Sequence, residues 1–405
     1  MVWLAQPSLV LPNPPGRTML SLAKPSSACG SQSMVRYRRW SARLIIVALL
    51  LAVSLACVAR PPDGPATSVP QTVVATSAVP SGGLGTAIDN YVAHGSANLQ
   101  NIRAVLVSQR GELLAERYYH SDAAEYVELQ SATKSVISTL VGIALTKGDL
   151  NSLDQTVGEL LPQHRSVMSE SSARTTVRQL LTMTAGWTTG YDPEPATPQL
   201  VRRVLKVGPD GDPGTFAYAG IGPHLLSAVL AQATGISTLA YARRELFDPL
   251  GINTQPAFEG PIADADKPDV VTMNSFRWLR DPDGVHAGPF GLALTARDMI
   301  KIGELWLNRG VWHGWRILDA DYIADATTNQ VPELDGKIRG YGYLWWITPL
   351  ATHNSYRASG MYGQLITVVP DLRAVMVISS RASDTPPSIE DHLAMMDAAI
   401  VPGLS

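Results

Sequence analysis

The sequence predicts an α+β fold: an antiparallel sheet built from both chain ends, flanked by helices, with a mostly helical subdomain inserted between them. Three observations carry this. Residues 102–119, IRAVLVSQRGELLAERYY, are two apolar-rich runs joined by Gln109-Arg110-Gly111-Glu112, the pattern of a β-hairpin. Residues 363–380, GQLITVVPDLRAVMVISS, repeat that pattern near the other end, with Pro370-Asp371 as the turn. The stretch between them carries helix starts and stops, and strands segregated from helices in this way form a sheet with a helical layer or subdomain.

The elements follow in order. LGTAIDNYVAHG places Ile88, Tyr91 and Val92 at helical spacing, which predicts a first helix from about Gly85, where the composition turns globular. After the first hairpin, TVRQLLTMT reads as a helix closed by Gly186. HLLSAVLAQAT reads as another, with Pro223 at a first helical position and Gly235 just past the last turn. TARDMIKIGELWLNRG is a third, closed by Gly310, and a last helix spans about 389–399, after the second hairpin. These bounds give a folded domain over 85–405 with its helical subdomain at about 148–260.

With 45% hydrophobic and 17% charged residues, the 405-residue chain can bury one large core or two small ones, which excludes collagen-like and wholly disordered classes. All six charges before Cys57 (Arg17, Lys24, Arg36, Arg38, Arg39, Arg43) are positive, so the remainder holds 26 basic against 35 acidic residues, a net of −9. Such a surface repels a phosphate backbone, and no Lys/Arg stripe with interleaved aromatics interrupts it, so no nucleic-acid partner is expected. The two cysteines, Cys29 and Cys57, both precede the folded region, which therefore has neither an internal disulfide nor a thiolate metal site.

From Met34 the chain reads MVRYRRWSARLIIVALLLAVSLAC: a basic segment, an apolar run and small residues before a cysteine. The run from Leu44 to Ala56 is shorter than the roughly 20 residues a membrane-crossing helix needs. Residues 34–56 resemble a bacterial lipoprotein signal, which implies lipidation of Cys57 and an exported, membrane-anchored protein at the outer face of the cytoplasmic membrane or in the periplasm. An uncleaved anchor is the alternative. Residues 1–33 put a polar Pro/Ser-rich stretch ahead of that signal, so they are read as untranslated or unstructured. Residues 57–84, rich in Pro, Ser, Thr, Ala and Val, cannot bury enough apolar area to offset their ordering entropy and are expected to form a disordered tether.

The chemistry begins at Ser131-Ala132-Thr133-Lys134. The following SVISTLVGIALTKG has hardly any polar face, so it predicts a buried central helix with Ser131 at its N-terminal end and Lys134 one turn on, along the same side. A buried amine loses its proton more readily and can take the hydroxyl proton of the serine, while the helix N-terminus favours a developing oxyanion. A serine that merely caps a helix would look the same in isolation.

Its company decides between these. Ser131-Ala132-Thr133-Lys134-Ser135 with VGIAL, LLTMTAG (180–186), FAYAG (216–220), FDPLGI (247–252), LALTARDMIKIG (292–303), YGYLWW (341–346) and SGMYGQ (359–364) resemble, in order and over about residues 85–400, the serine β-lactamase-related hydrolases. These include class C β-lactamases, D-alanyl-D-alanine carboxypeptidases, esterases and 6-aminohexanoate-dimer hydrolases. The resemblance implies a β-lactamase/transpeptidase-like fold and an acyl-enzyme mechanism, with Ser131 as nucleophile, Lys134 as base and Tyr218 as proton relay. It also implies an oxyanion hole from the backbone amides of Ser131 and Met361, and substrate contacts at Gly220, Ser359 and Gly360. Trp187, Tyr191 and the pair Trp345-Trp346 are candidates for the pocket wall.

Two departures bear on substrate. Gly220 stands where the family keeps an asparagine, and Ala358 where it keeps a cation; Arg357 is adjacent but, by strand alternation, faces the other way. That points away from substrate carboxylates and toward an esterase or amidase of neutral or small linear substrates, with β-lactamase and D,D-peptidase as further possibilities in the same class. A catalytically retired penicillin-binding-like receptor or cell-wall-binding protein is the alternative from another class. The expected partners are thus a small ester, amide or cell-wall peptide and, through the lipid, a membrane. No cofactor is expected, and the eight histidines form no zinc pattern. The absence of a G-x-S-x-G elbow argues against the α/β-hydrolase route to an esterase.

Overall fold

A computed structural model of the chain describes residues 83–95, 97–188, 197–264, 274–331, 340–382 and 388–404. Its main sheet has seven strands: β1 (Ile102–Gln109), β2 (Glu112–Tyr118), β3 (Gly340–Tyr341), β4 (Trp346–Ile347), β5 (Tyr356–Gly360), β6 (Gln364–Val369) and β7 (Ala374–Ser380). They lie in the order β2-β1-β7-β6-β5-β4-β3, antiparallel throughout. The first and last long strands are therefore neighbours, with Gln109 opposite Ala374 and Val105 opposite Ile378.

Both hairpins close where expected. Arg110 (φ 55°) and Gly111 (φ 81°) are both left-handed, as a two-residue turn that matches strand twist requires. The Arg110 amide donates to Arg373 O at 2.8 Å, so the two hairpin tips are tied together.

Alternate residues of the central strands enter two separate cores. Leu106, Ile366, Val368, Val375 and Val377 pack on the face that holds helix α2 (Thr133–Lys147). Val105, Val107, Leu365, Met376 and Ile378 pack on the other, against Ile88 and Val92 of α1 (Leu84–His94) and Met395 and Met396 near the last helix. Because both faces are covered, β6 and β7 are buried at every residue, and their sequences run apolar rather than alternating. Helix α2 is buried at every position from Thr133 to Ala144, as its lack of a polar face predicts.

Some boundaries differ from expectation. Helix α3 (Ile221–Thr234) begins two residues ahead of Pro223, which sits at its third position; Gly235 closes it with φ 71° as predicted. The 177–181 helix ends at Thr182, well before Gly186, after which Met183 turns left-handed. Helix α4 (Ala296–Leu307) is capped by Thr295, whose side chain accepts from Asp298 N. The last helix, α5 (Ile389–Met395), continues as a wider turn through Ile400.

The sequence did not announce a second sheet of four short strands, ordered 126–128, 292–295, 276–278 and 257–258. It places residues 128–129 beside residues 291–292: the Leu129 amide donates to Leu292 O at 2.8 Å, and the Gly291 amide to Glu128 Oε1 at 3.0 Å. Among the described residues no single helix is long and apolar enough to cross a membrane.

Candidate active site

Ser131 lies in a tight turn, Gln130–Ala132, between the strand 126–128 and α2. Gln130 is left-handed (φ 49°), which reverses the chain so that Ser131 stands clear of the helix while the next residues start it. Lys134, in the first turn of α2, is 4% exposed. Its Nζ donates to Ser131 Oγ at 2.8 Å and to Pro289 O at 3.0 Å.

Both of these contacts are to neutral oxygens, so neither supplies the opposite charge that would offset the cost of burying an ammonium. Burial accordingly lowers Lys134 from the usual lysine range to about 7. Tyr218 also hydrogen-bonds Ser131; burial pushes its phenol up to about 12, with the Ser131 hydrogen bond acting the opposite way. At neutral pH the amine is thus divided between its two forms and the phenol keeps its proton. The amine also lies 5.0 Å from the Tyr218 ring centroid, where the ring face stabilises whatever charge it carries.

Tyr218 is held by an aromatic cluster. Its ring stacks on Trp346 (centroids 5.2 Å apart, 30° between planes), and Tyr341 meets both edge-on, at 6.2 and 4.8 Å. Phe216 packs against Tyr341 at 5.2 Å. Two residues of the FAYAG segment and two of YGYLWW thereby meet, although the segments are far apart in sequence.

The third wall is the end of β5. A Cβ on Gly360 would overlap Leu129 O and stand 3.1 Å from Gln130 Cβ, so only glycine lets the strand lie against the segment that carries Ser131. Met361 follows directly and is 53% exposed. Ser359 and Gly360 are half-buried, and Gly220 forms the N-cap of α3, just after Tyr218.

The structure separates the remaining candidates. Trp187, expected on the pocket wall, is buried and lines a small apolar cavity together with Leu180, Met183, Ala217 and Ala219, the last two flanking Tyr218 in sequence. Tyr191 lies outside the described residues. Of the tryptophan pair, Trp346 joins the site, whereas Trp345 is fully buried against Trp306, 4.4 Å away, as period-two alternation dictates. Arg357 points away from the site: it is buried, donates to Thr348 O and feels the charges of Asp397 and Glu390, with burial lowering it to about 10. Ala358 is fully buried.

Sequence reasoning missed the Pro289 carbonyl, since a backbone acceptor has no residue signature; the only trace is Gly288-Pro289 within HAGPFG. Among the described residues no group of three or more His, Cys, Asp or Glu is placed to hold a metal ion.

Comparisons with known proteins agree with this architecture. The chain is 24% identical over 310 residues to a 6-aminohexanoate-dimer hydrolase of Paenarthrobacter ureafaciens, covering 68% of this chain and 71% of that protein. Its fold is similar to that of a class C β-lactamase (TM-score 0.60, 17% identity, 78% of this chain and 95% of the other). It is equally similar to the octameric penicillin-binding protein homologue from Pyrococcus abyssi (TM-score 0.60, 19% identity, 78% and 77%). At those identities the structures speak for the fold alone. The family profile named Beta-lactamase matches residues 88–400, from the first helix through all three segments that meet around Ser131, and the chain therefore belongs to the Beta-lactamase family of serine-hydrolase fold.

Proposed function

We propose that this chain is an acyl-transfer hydrolase of neutral esters or amides. The observation that carries the reading is the buried Lys134 amine, 2.8 Å from Ser131 Oγ and poised to lose its proton near pH 7. Neutral Lys134 takes the hydroxyl proton as Ser131 Oγ bonds to the substrate carbonyl carbon. The backbone amides of Ser131 and Met361 receive the oxyanion. Tyr218, which bonds the serine and keeps its own proton at neutral pH, passes a proton to the leaving alcohol or amine as the C–O or C–N bond breaks. Water then attacks the acyl-enzyme by the same route in reverse and releases the acid.

The preference for uncharged substrates rests on the residues packed around the site. Ala358 is apolar and buried, Arg357 faces the other side of the sheet, and the wall near Tyr218 is Phe216, Tyr341 and Trp346. Similarity to a 6-aminohexanoate-dimer hydrolase supports cleavage of an amide. A fluorophosphonate probe should label Ser131, located by peptide mass mapping. p-Nitrophenyl butyrate or a neutral linear amide should be turned over faster than nitrocefin. No label on Ser131 would sink the mechanism, and faster turnover of nitrocefin would sink the substrate preference.

We also propose that the chain is exported and anchored through Cys57, on the strength of the basic and apolar segments that precede it. Cys57→Ala should move the protein from the membrane to the soluble fraction; unchanged membrane association would point to an uncleaved anchor instead.

A further inference from the structure

The Pro289 carbonyl that receives Lys134 does not sit there unaided. Asp281 and His224, both fully buried, meet at 3.1 Å between Oδ2 and Nε2. The other carboxylate oxygen of Asp281 accepts the amides of Asp283 and Val285, each at 2.9 Å, which closes the turn that begins the loop 281–291. His224 belongs to the first turn and a half of α3, the helix whose approach carries Tyr218. A few residues on, a Cβ at Gly288 would overlap Pro223 O and stand 2.8 Å from His224 N, so the loop lies directly on the start of that helix. The loop is also fixed from its other side: Trp278 Nε1 donates to Ala287 O at 2.8 Å, and Gly291 N to Glu128 Oε1 at 3.0 Å. Pro289 is thereby suspended between anchors on α3 and on the small sheet.

This matters for the proton transfer. A neutral amine has two hydrogens and one lone pair. If one hydrogen is committed to the Pro289 carbonyl, rotation about the terminal C–N bond is restricted to orientations in which the lone pair can face Ser131 Oγ, the geometry a general base requires.

We propose that His224 and Asp281 are positioning residues for the acyl-transfer reaction, acting by holding the Pro289 carbonyl against the Lys134 amine. The inference rests on the reading that Ser131 is the nucleophile and Lys134 its base. Neither His224 nor Asp281 touches substrate. Their effect passes through the loop, by excluding water from the amine and fixing its rotation.

The test is the pH dependence of fluorophosphonate reaction at Ser131 in wild type, His224→Leu, the milder His224→Asn, and His224→Gln, which keeps a donor able to reach Asp281. Labelling is read on folded, non-aggregated protein, extracted with mild detergent where it is membrane-bound, so a variant of low yield still reports. In wild type the rate should rise through about pH 7 as Lys134 loses its proton. In His224→Leu and His224→Asn the plateau rate should fall by roughly tenfold or more, the order by which misplaced catalytic groups lose rate. The midpoint should also move to higher pH, because a better-hydrated amine holds its proton more tightly. His224→Gln should restore both. A plateau and midpoint equal to wild type in either of the first two variants would overturn the positioning role. Absence of labelling at Ser131 in the wild type would instead overturn the parent mechanism, so the two failures are distinguishable.

Discussion

Ser131→Ala is expected to lower kcat on a neutral ester by on the order of 10⁴-fold or more, with little change in KM or in melting temperature. The size follows from how nucleophile and base act as a unit: once the hydroxyl is gone, Lys134 has nothing to deprotonate and Tyr218 nothing to relay to, so removal of one member costs nearly as much as removal of all. Stability should hold because Ser131 is only half-buried and sits in a turn fixed by backbone bonds, among them the Ala132 amide to Leu129 O at 3.0 Å. Steady-state kinetics beside a thermal melt check both halves. Activity within tenfold of wild type would place the chemistry elsewhere.

Lys134→Met is expected to move activity and stability in opposite directions. The hydroxyl loses its base, which costs on the order of 10²–10⁴-fold or more in kcat. The folded protein, however, loses a group that burial disfavours. Lys134 has its proton affinity lowered to about 7 in the folded chain against 10.5 for an unburied lysine. Between those values the unfolded chain binds a proton that the folded chain does not, so wild-type stability rises with pH across that window and is lowest below pH 7. At pH 7 and below, the full penalty is present, on the order of several kcal/mol, since each tenfold loss of proton affinity on folding costs about 1.4 kcal/mol. The lost hydrogen bonds to Ser131 and Pro289 offset part of the gain. Urea midpoints from pH 6 to 10 should therefore show the methionine variant ahead at the acid end, with the two curves converging as pH rises. Parallel curves would mean that the amine is not desolvated. Wild-type kcat/KM should fall below about pH 7 for the same reason, as the amine gains the proton that disables it as a base.

The parts of the site that could be read in the sequence are those whose chemistry is local. Ser131 and Lys134, three residues apart across a turn that leads into an apolar helix, are kept close by local chain geometry, and Gly111 and Pro370 mark hairpins because their backbone limits act within two residues. Strand alternation was enough to turn Arg357 away from the site. Trp346 and Trp345 could be separated only once the strand beneath them was known, and Trp187 both packs in the core and lines a small cavity, a pairing of roles that an aromatic near a motif does not reveal. The small sheet escaped notice since strands of two to four residues have no periodicity to detect. Pro289 and the His224–Asp281 pair escaped it because a carbonyl acceptor and a contact spanning 57 residues leave no pattern along the chain.

The pairing of β1 with β7 has a temporal consequence. Residues 102–109 are synthesised long before residues 374–380, yet they are direct partners in the sheet, and β5, which walls the serine, reaches that same sheet only through β6 and β7. Loop closure over such a separation must be met before the contacts that reward it can form. Ser131 and the α2 residue Lys134 are neighbours in sequence, whereas the wall that β5 sets beside them depends on these long-range pairings, so quenched-flow hydrogen exchange should show amides of α2 protected before those of β5.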